Sequence, residues 1–200
     1  MPRAELLGAV LAGGRSRRFG RDKSLALVAG RPLVERAVEA LQEVVDDVVV
    51  VTSRELSPAL EPLRISDEVP DAGPLGGLHA ALRAAADRGR DGVLLLACDM
   101  PLVTPALLEA VAKARDRAAI VAPRRADGIE PLCAAYHVSL LEQVDALLSG
   151  PDRSLHRLFA EAGGVALDLG SAAEGGASPF LSVNEPADRD RAEALLGGSA

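Results

Sequence analysis

The chain has few residues of the kinds that form disulfides, bind metals or stack as aromatic rings. Its 200 residues include two cysteines, three histidines, three phenylalanines, one tyrosine and no tryptophan, so the aromatic share is 2%. Cys98 and Cys133 form no C-x-x-C pair and neighbour no histidine cluster, which argues against a structural metal, fits a reducing compartment and predicts core packing for both. The histidines, His79, His137 and His156, are scattered, so neither a zinc site nor a Ser-His-Asp triad is supported by their spacing.

Long apolar runs are also absent. No run approaches the roughly 18 residues that a membrane span requires, and the N-terminus lacks a charged-then-apolar signal segment with a cleavage site. The net charge of −7 argues against wrapping a nucleic acid or lying on an anionic membrane, because both favour a basic protein surface. We therefore expect a cytoplasmic protein that binds neither nucleic acid nor membrane.

Hydrophobic residues make up 48% of the chain, which argues against disorder and predicts a core of Ala, Val and Leu. The length suits one domain, and no repeat or long linker divides it. Apolar runs and helical periodicity alternate along the chain. We expect strands over 6–10, 48–52, 63–66, 92–99, 118–122, 131–136 and 165–169, and helices over 33–45, 78–87, 104–112, 140–148, 154–162 and 187–196. The prediction is a three-layer α/β/α fold with a Rossmann-like, mostly parallel sheet.

A glycine-rich basic loop directly follows the first predicted strand, with the sequence LAGGRSRRFGRDK at residues 11–23. Between Arg15 and Lys23 it holds five cations and one acid. Charge runs are usually solvated, but Gly13 and Gly14 allow the backbone to approach an anion with its N–H groups. The loop matches neither G-x-G-x-x-G nor G-x-x-x-x-G-K-[ST]. We interpret it as a polyphosphate cradle of another class.

Polar residues follow three further predicted strands: Thr52, Asp67 and Asp99. In a parallel sheet these positions converge with the basic loop on one crevice. Asp67 is equally well explained as a turn residue. Asp99 precedes Met100 and Pro101 and so has no immediate helix to cap; a carboxylate facing a phosphate cradle suits Mg²⁺, which binds carboxylates together with substrate phosphates.

Several segments, in this order, resemble the molybdenum cofactor guanylyltransferases, which belong to the nucleotide-diphospho-sugar transferase type of nucleotidyltransferase. They are LAGG at 11–14 with Arg18, Gly20 and Lys23, GPLGG at 73–77, CDMP at 98–101 and SVNEP at 182–186, with EPLCAAY at 130–136 and RSL at 153–155 also similar.

The resemblance implies transfer of GMP from GTP to the terminal phosphate of molybdenum-bound molybdopterin, with release of pyrophosphate and with Mg²⁺. By position, the resemblance implies GTP contacts at Leu11, Ala12, Gly13, Gly14, Lys23, Thr52, Asp67 and Asp99. The implied catalytic groups are Arg18, Lys23 and Asp99, and the implied metal ligand is Asp99. The implied contacts to the acceptor are Ser182 and Asn184. Ser182 and Thr52 stand where relatives carry asparagine. The resemblance also implies a nucleotide-binding part over about 1–122, an acceptor part over about 123–200, and hand-over to molybdoenzymes or their chaperones.

Other functions remain open at this point. A cytidylyltransferase acting on the same pterin is the nearest alternative, although Gly13 and the GPLGG segment favour guanine by resemblance. A sugar-1-phosphate nucleotidyltransferase is more distant. A catalytically silent nucleotide-binding partner protein is a non-enzyme alternative, which Lys23 and Asp99 argue against. Arg124 and Arg125 follow another strand end and either bind the acceptor or are simply solvated.

Overall fold

The computed structural model describes residues 5–13, 26–67, 69, 72–169 and 179–197. The strands in these residues are β1 Leu6–Leu11, β2 Leu27–Val28, β3 Arg31–Pro32, β4 Asp47–Val51, β5 Arg64–Ile65, β6 Gly92–Ala97, β7 Ile120–Arg125, β8 Gly128–Ile129, β9 Cys133–His137 and β10 Val165–Leu167. The α-helices are α1 Leu33–Gln42, α2 Pro74–Asp87, α3 Pro105–Ala114, α4 Leu141–Leu148, α5 Leu155–Glu161 and α6 Pro186–Gly197.

Eight of these strands form one sheet in the order β10-β7-β9-β6-β1-β4-β5, with β8 paired to β7. The strands β4, β1 and β6 run parallel, with Leu11 opposite both Val51 and Ala97. Only β9 is antiparallel to its neighbours on this path, β6 and β7. The predicted mostly parallel α/β sheet is confirmed.

Helices cover both faces of the sheet because alternate strand residues point to opposite sides. Val48 and Val50 pack with α1 and α3 in one buried cluster, whereas Val49 and Val51 pack with α2, α4 and α5 in the other. Both strand faces are therefore apolar, as expected for a parallel sheet covered on both sides. Cys98 and Cys133 are buried in the core, as predicted, and neither forms a disulfide.

Several local signals placed the helices correctly. Thr104 caps α3, where its hydroxyl oxygen accepts the N–H of Leu107, and Ser154 caps α5 in the same way through Arg157. The helix α1 begins directly after Pro32, as predicted.

Three segments differ from the sequence prediction. Residues 74–77 form the start of α2, although the glycines and proline of this segment predicted a turn before a helix at residue 78. The predicted strands over 118–122 and 131–136 leave residues 123–130 as a loop, but β7 continues to Arg125 and turns back through β8. The hairpin of β2 and β3 was not predicted, because strands of two residues carry no readable periodicity.

A third, smaller cluster joins the C-terminal tail, residues 179–197, to the β2–β3 hairpin and the start of α1. Val183 and Ala192 pack against Val28 and Leu33. The hairpin turn is also bonded to α6, since the N–H of Ala29 donates to the carboxylate of Glu193 at 3.0 Å. The tail therefore returns to the β2–β3 hairpin that follows the basic loop in sequence.

Within the described ranges, none of the helices combines the length and the apolar character needed to cross a bilayer.

Candidate active site

The carboxyl ends of β1, β4 and β6 meet at one edge of the sheet. The N–H of Ala12 donates to the carbonyl oxygen of Val51 at 3.0 Å, and the N–H of Cys98 donates to that of Leu11 at 3.1 Å. These bonds continue the parallel ladder for one residue beyond the strands. They bring Leu11, Ala12 and the turn that carries Asp99 side by side, as the sequence predicted.

Asp99 lies half-buried in the turn after β6. It does not cap the helix that follows it, because α3 is capped by Thr104. Its carbonyl oxygen accepts the N–H of Val183 at 2.8 Å, which attaches the tail to the sheet edge at this position. The backbone of Asp99 is thus fixed both by β6 and by the tail.

The tail contact places the two predicted acceptor residues beside Asp99. Ser182 and Asn184 flank Val183, whose side chain is fully buried. Ser182 is half-buried and Asn184 is exposed. The backbone N–H groups of Asn184 and Glu185 both donate to the carboxylate of Asp188 at 2.8 Å, which fixes the turn into α6.

Thr52 follows β4 and is 2% exposed. Its N–H donates to the carbonyl oxygen of Ile65 at 3.0 Å, and its hydroxyl oxygen accepts the N–H of Arg54 at 3.2 Å. Thr52 therefore holds β4 to β5 and shapes the turn that follows.

Asp67 follows β5 at the same edge. One oxygen of its carboxylate, Oδ1, accepts the N–H of Val69 at 2.9 Å, so the residue does form a turn. The carboxylate also lies against Gly76 in the first turn of α2. The structure thus places Asp67 between the sheet edge and the start of α2.

The described part of the basic loop ends at Gly13, which is exposed; among the described residues, no atom lies within 4 Å of the position that its Cβ would take. Gly14, Arg18 and Lys23 lie outside the described residues, so their predicted roles stay predictions. The same holds for the remaining cations of the loop.

The two arginines at the end of β7 both have carboxylate partners. Arg124 Nε lies 2.6 Å from Asp168 Oδ1, and both side chains are more than half exposed. Arg125 Nη1 lies 2.5 Å from Glu130 Oε2, and this hydrogen bond raises the pKa of Arg125. Binding of the acceptor by Arg124 would therefore disturb only an exposed ion pair. Binding by Arg125 would instead break its pair with the buried carboxylate of Glu130.

Sequence reasoning missed the structural importance of Glu130. This carboxylate is only 6% exposed, and it accepts the N–H of Leu132 as well as the Arg125 bond. The carbonyl oxygen of Leu132 in turn accepts the N–H of Ala97, near the end of β6. The available signal was an acid three positions before the start of the apolar strand β9, where burial makes a cationic partner necessary.

The donors at this edge fit a hard divalent cation. Asp99 offers carboxylate oxygens, and Mg²⁺ is commonly held by one or two carboxylates with phosphates and water. The structure places no group of three or more His, Cys, Asp or Glu side chains together within its described ranges, so an all-protein cage of the zinc type is not formed there. The residues present thus suit a metal shared with a phosphorylated substrate.

A cavity of about 440 Å³ lies elsewhere. Leu6 and Gly92 line it at the amino ends of β1 and β6, and His137 lines it at the carboxyl end of the antiparallel β9. It opens at the sheet edge opposite to Asp99 and is separate from the site described above.

Comparison with known proteins decides the family. The family described as MobA-like NTP transferase domain matches residues 8–165, which include most of β1, the Asp99 turn and most of the sheet. The chain belongs to the MobA-like NTP transferase family. This MobA-like chain is accordingly a nucleotidyltransferase.

Individual relatives agree with this family. The MobA-like chain is 39% identical over 157 residues, 78% of each chain, to the "Probable molybdenum cofactor guanylyltransferase" of Opitutus terrae. It is 32% identical over 194 residues, 93% of each chain, to the protein of the same name from Thermococcus kodakarensis. Among solved structures, molybdopterin-guanine dinucleotide biosynthesis protein A from Archaeoglobus fulgidus superposes with a TM-score of 0.82 at 27% identity, covering 96% of this chain and 100% of that one. That superposition confirms the expected nucleotide-diphospho-sugar transferase type of fold.

Proposed function

We infer that the chain transfers GMP from GTP to the terminal phosphate of molybdenum-bound molybdopterin, forming the guanine dinucleotide cofactor and releasing pyrophosphate. The observation that carries this inference is the position of Asp99. It lies beside Leu11 and Ala12 on the nucleotide side and is bonded through its carbonyl oxygen to Val183 on the acceptor side. The relatives named as molybdenum cofactor guanylyltransferases support the choice of substrates.

The chemistry places modest demands on proton transfer. An oxygen of the acceptor phosphate attacks the α-phosphorus of GTP, and the bond from that phosphorus to the oxygen bridging to the β-phosphate breaks. A phosphate monoester is already largely dianionic at pH 7, since its second pKa is about 6. The attacking oxygen therefore needs no general base, and the protein contributes positioning and charge neutralisation.

The residues divide these tasks between them. No atom of the described residues crowds the Cβ position of Gly13, and glycine lets the backbone approach the triphosphate closely. We assign Arg18 and Lys23 to the negative charge of the triphosphate and of the departing pyrophosphate. Asp99 would hold Mg²⁺, which when bound neutralises phosphate charge and orients the phosphoryl oxygens. Ser182 and Asn184 would contact the pterin-side substrate from the tail.

Guanine, rather than cytosine, is supported by the segment at the start of α2. A Cβ at Gly77 would lie 2.8 Å from Leu11 Cδ2, so the helix start approaches the end of β1 closely. The GPLGG segment therefore borders the same edge as Leu11 and Ala12. By resemblance, this segment and Gly13 are typical of guanylyl rather than cytidylyl transfer.

A nucleotide and acceptor screen tests the proposal. Purified protein is incubated with Mg²⁺, molybdenum cofactor and either GTP or CTP, and pyrophosphate and the dinucleotide product are measured. We expect pyrophosphate release with GTP and formation of the guanine dinucleotide. Equal or faster turnover with CTP would overturn the guanine assignment. Turnover only on sugar 1-phosphates would overturn the assignment of molybdenum-bound molybdopterin as the acceptor. GTP binding without turnover on any acceptor would show a silent nucleotide-binding protein instead.

A cytoplasmic location and hand-over of the product to molybdoenzymes or their chaperones remain predictions. The division into a nucleotide part over about 1–122 and an acceptor part over about 123–200 also remains a prediction.

A further inference from the structure

A short turn joins the sheet edge at Asp99 to α6, and both of its ends are held in place. At the start of the turn, the N–H of Val183 donates to the carbonyl oxygen of Asp99 at 2.8 Å, and the Val183 side chain is fully buried. Beyond the turn, Ala192 of α6 is buried in the cluster that contains Val28. Residues 184–186 therefore bridge two fixed points of the fold.

One carboxylate holds the middle of this turn. The backbone N–H groups of Asn184 and Glu185 both donate to Oδ2 of Asp188, each at 2.8 Å. Proline has no N–H, so Pro186 offers no further backbone donor. The backbone donors between Val183 and α6 thus converge on one oxygen of Asp188.

Asp188 is fixed by the helix that carries it. It is the third residue of α6, and its N–H donates to the carbonyl oxygen of Glu185 at 3.1 Å. Its carboxylate bonds back to the N–H of the same residue, which is one half of a capping box. The first turn of a helix also favours a negative charge.

The bond to Asn184 goes beyond what a helix cap requires. A cap of this kind satisfies the N–H of the residue directly before the helix, here Glu185. The second bond reaches one residue further back, to Asn184, which is exposed and so is not oriented by core packing. The backbone of Asn184 is held instead by Val183 on one side and by Asp188 on the other.

We propose that Asp188 is a positioning residue for the pterin-side substrate. Its carboxylate fixes the backbone of Asn184 and thereby the direction in which the Asn184 side chain leaves the turn. The inference rests on the proposed function, in which Asn184 contacts the acceptor. Asp188 acts through Asn184 and not through its own charge, because a carboxylate repels the acceptor phosphate.

The variant Asp188→Ala tests this inference. We expect the KM for molybdenum cofactor to rise about tenfold, the loss expected for one hydrogen bond to a charged group. The KM for GTP should change less than about twofold and the kcat at saturating substrates less than about threefold, because the reacting phosphates are bound by other residues. Loss of a helix cap alone would lower the melting temperature without singling out one substrate.

Two conservative variants grade the effect. Asp188→Glu should keep the acceptor KM within about twofold of wild type, since glutamate is the usual residue at this place in a capping box. Asp188→Asn keeps the side-chain volume but offers a neutral acceptor, which bonds more weakly, so we expect a rise of about threefold. An unchanged acceptor KM in Asp188→Asn would overturn the inference if Asp188→Ala cannot be purified in folded form.

Asp190→Asn is the matched control for loss of charge. Asp190 lies on the same helix and pairs with Arg189 at 2.8 Å, with both side chains well exposed. Its variant should leave both KM values unchanged. A lower acceptor KM in Asp188→Ala would show that Asp188 acts by repelling the acceptor phosphate, and the inference would be wrong.

A double-mutant cycle shows whether Asp188 acts through Asn184. We expect Asn184→Ala to raise the acceptor KM and Asp188→Ala to add nothing further in that background. Additive effects, or an unchanged acceptor KM in Asn184→Ala, would overturn the inference alone. Wild-type protein that forms no guanine dinucleotide from GTP and molybdenum cofactor would overturn the proposed function and the inference with it.

Discussion

Among single residues, Asp99 combines a fixed backbone with a carboxylate at the edge where the proposed nucleotide and acceptor sides meet. Its N-terminal neighbour Cys98 donates to Leu11, and its own carbonyl oxygen accepts from Val183. Both contacts involve only the main chain at positions 98 and 99. The carboxylate can therefore be changed while the backbone remains supported.

We expect Asp99→Asn to lower Mg²⁺-dependent turnover at least about a hundredfold, the order of loss seen when one electrostatic contact to the transition state is removed. The substitution keeps the side-chain volume but removes the charge that the cation requires. Pyrophosphate release with GTP measures the effect, and thermal melting checks the fold.

Asp116→Asn serves as the control for charge removal. Asp116 pairs with Arg115 and lines the cavity at the opposite sheet edge, so its amide variant should retain turnover. Near-normal rates in Asp99→Asn would rule out Asp99 as the metal ligand.

At the scale of elements, the β7–β8 hairpin carries two neighbouring arginines in contrasting environments. Arg124 forms an exposed pair with Asp168, and exposed pairs contribute about 0–1 kcal/mol. Arg125 neutralises Glu130, which is 6% exposed. The hairpin therefore has one arginine available for a ligand and one committed to structure.

We expect Arg124→Ala to change the free energy of unfolding by less than about 1 kcal/mol and to raise the acceptor KM about tenfold. Arg125→Ala should lower the free energy of unfolding by about 2–3 kcal/mol, because it leaves a buried carboxylate without its cation. Urea unfolding and acceptor kinetics at saturating GTP distinguish the two. An unchanged acceptor KM in Arg124→Ala would show that Arg124 is merely solvated.

The strands and helices also show how much of the fold the sequence patterns predict. The apolar runs of β1, β4 and β6 predicted most of the sheet, and Thr104, a typical capping residue, predicted the start of α3. Hydrophobic periodicity does not encode strand direction, so the antiparallel β9 looked like any other buried strand.

Composition was misleading at the start of α2. Glycine and proline usually mark turns, but here Pro74 occupies the first helical position and Gly76 and Gly77 allow close packing on Asp67 and Leu11. Such packing depends on residues distant in sequence and could not be read locally. The candidate site residues could be proposed from their positions after strands, whereas the buried Glu130–Arg125 pair needed the hairpin geometry.

For the molecule as a whole, two buried groups, the Cys133 thiol and the Tyr136 hydroxyl, make the free energy of unfolding depend on pH in the alkaline range. Burial, with a smaller contribution from the Glu130 carboxylate, raises the pKa of Cys133 and of Tyr136 well above their usual ranges. The unfolded chain loses the thiol proton above about pH 8.5, whereas the folded chain keeps it. Stability from this group is thus complete below that pH and falls as the pH rises.

We expect the free energy of unfolding to decrease by about 1.4 kcal/mol per pH unit from Cys133 above about pH 8.5, with a similar contribution from Tyr136 above about pH 10. Urea unfolding of wild type and Cys133→Ala at pH 8 and pH 10 isolates the thiol. Their stability difference should shrink by roughly 2 kcal/mol over this interval. A constant difference would mean that the thiol titrates alike in both states.

The bond from Val183 to Asp99 also orders events during synthesis. At about 5–20 residues per second, the ribosome completes β6 several seconds before it adds Val183. A nascent chain arrested before residue 183 holds Asp99 without the backbone partner that fixes its turn. Ribosome-bound intermediates of this enzyme should therefore acquire the sheet first and the complete form of the proposed metal and nucleotide site only with the tail.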